Sequence, residues 1–70
     1  MIPPQKLALL KRNRDTSLDQ ARQLIARGRH DDAERLLKAA LEDWRRQGAP
    51  KDEEGSVISQ LGKALEGQRK

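Results

Sequence analysis

Apolar residues recur along this chain at intervals of three and four, not two, so the pattern predicts helices and offers no segment long enough for a strand. Pro3 and Pro4 suit a first helical turn, which can spare an N–H, and Leu7, Leu9 and Leu10 give that helix a short apolar face. This helix is predicted over residues 4–14. The run Asp15-Thr16-Ser17 offers three capping side chains, with Gln20 three places after Ser17 as in a capping box; a single bent helix continuing through the run is the alternative. The next helix carries Leu18, Ala21, Leu24 and Ile25 on one face and stops at Gly28. Glycine closes a helix in the left-handed conformation without a steric cost, and Arg27 and Arg29 suit the negative end of the helix dipole.

After a short turn, Asp31 and Glu34 read as an N-cap and its capping-box partner, and Ala33, Leu36, Leu37, Ala40, Leu41 and Trp44 follow at offsets 0, 3, 4, 7, 8 and 11. This helix is predicted to close at Arg45-Arg46-Gln47-Gly48, with Pro50 beyond. Lys51 to Gly55 reads as a loop or as the exposed first turns of a last helix, residues 51–68, which carries Val57, Ile58, Leu61, Ala64 and Leu65. Gly55, Gly62 and Gly67 each weaken that helix by roughly 1 kcal/mol relative to alanine, and a glycine inside a helix often permits close approach of another backbone. The last helix is expected to lie against the one before it and bury Trp44, Ile58 and Leu61. The fold expected is a single all-α domain over residues 1–70, with three to four short helices.

Seventy residues bury only roughly 60–65% of the surface that the unfolded chain exposes. The core must therefore be thin, and with no Cys, Phe or Tyr and one Trp, neither disulfides nor an aromatic cluster compensates. Association, with itself or with another chain, is the expected supplement. Composition alone, 34% hydrophobic and 37% charged, borders on that of disordered chains, but the apolar spacing argues for a fold. The net charge of +4 is uneven. Residues 1–30 carry seven Lys or Arg against two acids, a balance of +5, and residues 31–70 carry eight against nine, a balance of −1. The apolar run Leu7 to Leu10 is much shorter than a signal-peptide core, and nothing approaches the ~20 apolar residues of a membrane span, so a cytoplasmic protein is expected.

The positions of Ala21 and Leu24, then Gly28, then Ala33, Leu37 and Ala40 resemble the helix pair of the tetratricopeptide repeats. A second partial copy of the first-helix signature falls at Ile58, Leu61, Gly62 and Leu65, with aliphatic residues in place of both aromatics. The resemblance covers residues 17–68 and about one and a half repeats. It implies an antiparallel helix pair over 17–47, flanked by the amino-terminal helix and the carboxy-terminal helix, that holds a partner protein. Ala21, Ala33 and Ala40 would let the two helices approach closely while Leu24, Leu36, Leu37 and Leu41 fill the layer between them, and Trp44 and Gly62 would be further structural positions. Ser17 and Gln20 depart from the apolar pattern of the family, and the second repeat has only its first helix.

No residue set assembles a catalytic nucleophile, base and orienting group, so no enzyme is expected. His30 stands alone, without a second ligand for a metal, and reads as a packing residue. Asp31, Asp32, Glu34, Glu42 and Asp43 lack the ligand alternation of a calcium loop and read as helix-dipole partners. No cofactor is implied. Trp44 lies on the apolar stripe and so reads as core, with a partner-binding anchor as the other reading. The expected function is a non-enzymatic protein–protein interaction module, an adaptor or a homo-oligomer. Its groove would be formed by Leu18, Leu24 and Ile25 with Leu61 and Leu65, and Arg22 would select acidic partners. The alternative is a small basic protein that binds nucleic acid through phosphate contacts at Arg12, Arg14, Arg22 and Arg27.

Overall fold

The computed structural model describes residues 2–68. They form three helices, α1 (Pro4–Ala26), α2 (His30–Arg46) and α3 (Gly55–Gln68), with a single 3₁₀ turn at Lys51–Glu53 before the last. The fold is all-α, as the periodicity predicts, and no strand occurs among the described residues.

Two glycines close α1 and α2 by the same device. Gly28 and Gly48 have φ of 80° and 73°, a region that costs an L-residue roughly 1–2 kcal/mol. Beyond α1 the Arg29 N–H donates to the Leu24 carbonyl at 2.8 Å and the Gly28 N–H to that of Ile25 at 3.0 Å. Beyond α2 the Ala49 N–H reaches Trp44 at 3.2 Å and the Gly48 N–H reaches Arg45 at 3.0 Å. Both are Schellman closures, in which paired bonds satisfy carbonyls that a helix end leaves free.

The predicted break between residues 14 and 17 does not occur, because α1 runs through it without interruption. Nothing there terminates a helix: there is no Gly or Pro, and the Thr16 hydroxyl donates to the Arg12 carbonyl one turn back, at 3.0 Å, instead of capping a new start. The start of α2 also differs from the prediction. The helix begins at His30, and Asp31 accepts only from the adjacent Asp32 N–H at 3.0 Å, so the two aspartates complement the dipole from within the first turn. Glu34 is engaged by Lys38 and Gln68 and completes no capping box. The predicted last helix is shorter at its start, since α3 begins at Gly55.

The interior is divided between two clusters. Leu18 and Ala21 of α1, Ala33 and Leu37 of α2, and Val57 and Ala64 of α3 form the larger one. The alanines at 21, 33 and 64 and the leucine at 37 are all fully buried; small residues let the helices approach, and burying Leu37 contributes about 1.5–3 kcal/mol. The smaller cluster joins Leu10 of α1 to Trp44 and Ala49, with Ile2 and Leu7 beside them. Low-numbered residues of α1 thus meet the end of α2 while its later residues meet the start of α2, so the chain doubles back on itself. Trp44 is therefore buried by the amino-terminal half of α1, and the expected burial against Ile58 is replaced: Ile58 remains 49% exposed. The unbroken α1 is the reason, since only a helix of that length reaches the far end of α2.

Candidate interaction surface

Arg14 organises the junction between the two clusters. Its guanidinium lies 5.1 Å from the centre of the Trp44 ring, donates to the Glu53 carbonyl at 3.1 Å and pairs with the Asp15 and Glu53 carboxylates at 3.1 and 3.8 Å. Lys11 adds a second pair to Glu53 at 3.3 Å. The Trp44 indole N–H donates to the Pro50 carbonyl at 2.8 Å, and Arg45 grips Glu54, the buried charged residue of the core, with contacts of 3.2–3.3 Å to both oxygens. Together these bonds fix the link from α2 to α3, and with it the angle at which α3 leaves. A cavity of about 50 Å³ between Leu10, Ser17, Ala40 and Trp44 has room for water but not for a small-molecule ligand, which needs about 300 Å³ or more.

At the other end α3 is held to the start of α2. The Gln68 amide donates to Glu34 at 2.6 Å, and Lys38 donates to the second carboxylate oxygen. Those two bonds, Lys38 first, hold the Glu34 carboxyl below the ordinary glutamate range. Gly67 lies directly under His30, since a Cβ at 67 would collide with the imidazole ring. The His30 Nδ1 is buried without a hydrogen-bond partner, consistent with packing. A Cβ at Gly62, by contrast, would meet nothing within 4 Å. Gly62 therefore does not permit the close helix approach expected of it; Ala64 and Gly67 occupy the tight positions of α3. Among the described residues no group of three His, Asp or Glu converges to hold a metal.

The structure brings Leu18, Leu24, Ile25 and Leu61 together, but as interior and not as a groove. Leu18 is only 6% exposed, and the other three pack against the main cluster, where α1 and α3 both meet α2. Leu65 is exposed at 45%, and the unpredicted Ile58 joins it. Its signal was present in the sequence: α3 carries one stripe at Val57, Leu61 and Ala64 and another at Gly55, Ile58, Gly62 and Leu65, and a helix has only one side toward its own core. Ala40 is half-buried beside Trp44 and does not share the close contact made by Ala33.

Of the basic residues, Arg14 and Lys11 are committed to the junction, and Arg29 pairs with Asp32 at 2.7 Å. Arg12, Arg22 and Arg27 are exposed. At about 100° per residue, Arg22 and Arg27 point about 140° apart around α1, so they do not form one strip. No helix among the described residues is long and apolar enough to cross a membrane. No family model, curated protein or solved structure matches the chain.

Proposed function

We propose that this chain is a non-enzymatic protein-interaction module built on a tetratricopeptide-like helix pair, with the outward face of α3 as its docking surface. The observation that carries the reading is the exposed pair Ile58 and Leu65, one above the other on a helix whose Val57 and Ala64 face is already buried. Such a face loses free energy by being covered, about 25 cal/mol for each Å² of apolar area removed from water. The fully buried Ala21 and Ala33 support the tetratricopeptide-like pair, since that motif places small residues where two helices approach. Phosphate binding finds less support, because Arg14 is committed to Trp44 and Glu53 and Arg22 and Arg27 point about 140° apart.

Affinity capture from an extract of the source cells tests the reading, with the wild-type chain compared against Ile58→Asp/Leu65→Asp and against Leu9→Asp. Leu9, exposed at 56% and far from α3 in sequence, controls for loss of apolar surface alone. Capture by the wild type and Leu9→Asp but not by the double variant is expected; equal capture by all three contradicts the assignment.

A further inference from the structure

The outward stripe of α3 alternates large and absent side chains: Gly55, Ile58, Gly62 and Leu65 stand at offsets 0, 3, 7 and 10. Ile58 and Leu65 are exposed, and the space over Gly55 and Gly62 is open to 4 Å. Offsets of three and four keep a seam on one side of a helix over its length. This seam is also complementary to itself. Positions 58 and 62 share a midpoint at residue 60, and so do positions 55 and 65.

Building on the interaction-module reading, we propose that the occupant of this face is α3 of a second copy, packed antiparallel about residue 60. In that register each Ile58 sits over Gly62 of the other copy, and each Leu65 sits over Gly55. The glycines provide holes that the branched side chains fill, and the two backbones approach closely. Sliding by about one turn sets Ile58 against Leu65, which leaves large residues opposed and the holes empty. The seam itself contains no charged residue. Glu66 flanks it, and in the favoured register the two copies of Glu66 lie twelve residues apart along the axis, about 18 Å, well beyond the screening length of about 8–10 Å. Lys63 lies about 100° around the helix from Gly62. A helix of 14 residues is about 21 Å long and presents less than the ~800 Å² per partner of a stable complex. The dimer is accordingly weak, forming in the high micromolar range.

Sedimentation equilibrium of the purified chain, from about 20 μM to about 1 mM, tests the pairing. The weight-average mass is expected to rise from 7.9 kDa toward twice that value. Gly62→Leu fills the hole, and a Cβ at this position meets nothing within 4 Å in its own chain, so it should keep the helical circular dichroism of the wild type and remain monomeric throughout. Leu9→Asp should associate like the wild type. A wild-type chain that stays monomeric at 1 mM, or a folded Gly62→Leu chain that associates like the wild type, overturns the proposal. If self-association fails while the double variant Ile58→Asp/Leu65→Asp still abolishes capture from the extract, only the choice of occupant is wrong. If the double variant captures like the wild type as well, the interaction-module reading fails with it.

Discussion

Glycine has three different uses in this chain, and single substitutions separate them. At Gly28 the backbone has φ of 80°, so Gly28→Ala should lower stability by about 1–2 kcal/mol in thermal or urea unfolding. At Gly62 the helix is regular and the space is open, so Gly62→Ala should raise stability by up to about 1 kcal/mol. At Gly67 the added methyl collides with the His30 ring, and Gly67→Ala should lose that propensity gain. The ordering 62 above 67 above 28 is the expected result; a Gly67→Ala variant as stable as Gly62→Ala would remove the His30 contact from the account. A titrating group makes a related prediction. Glu34 is held below its ordinary range by Lys38 and Gln68, and an acid depressed in the folded state stabilises above its unfolded value, losing that contribution as pH falls through the folded one. Amide exchange in the last turn of α3 should therefore accelerate on acidification below about pH 4.3, the ordinary glutamate value, and high salt should weaken the effect. Exchange independent of pH there, after correction for intrinsic rates, would contradict the latch.

Legibility from sequence was greatest where an element has one apolar face, as in α2, and least where a polar side chain occupies a buried place. Leu7, Leu10, Arg14, Ser17, Ala21 and Leu24 alternate spacings of three and four without interruption, so the continuity of α1 was written in the positions. The residue types hid it. Arg14 buries its stem and stacks on Trp44, as long cationic side chains do, and Ser17 resembles a cap. Ser17→Ala distinguishes the alternatives directly: within a continuous helix it should stabilise by about 0.5 kcal/mol through propensity, whereas removal of a true N-cap would cost about 1 kcal/mol. The tight packing of α1 against α2 predicts that Ala33→Trp, at a position with no exposure, destabilises by several kcal/mol through overpacking; unchanged unfolding in that variant would refute the close pair. On α3 the two stripes were both visible, but pattern alone does not tell which turns inward. The decision rests on Val57 and Ala64 meeting Leu37 and Ala21, a tertiary fact.

The molecule as a whole is thin, 43 × 17 × 14 Å, and its interior is divided between two small clusters, with Arg14 lying over Trp44 of the smaller one. A domain of this length has only a few kcal/mol of stability, and Trp44→Ala removes the largest side chain of the smaller cluster at about 3–5 kcal/mol. That variant should be largely unfolded at 25 °C by circular dichroism; a well-folded chain would show that the larger cluster suffices alone. The same shortage of interior leaves Ile58 and Leu65 of α3 exposed. The most direct test of the proposed pairing of two α3 helices is a dilution series of ¹⁵N-resolved NMR spectra of the purified wild-type chain. The account predicts concentration-dependent shifts concentrated at Gly55, Ile58, Gly62 and Leu65 and absent from Leu9 and Arg12. Spectra that do not change with concentration, or shifts centred on α1, would contradict it.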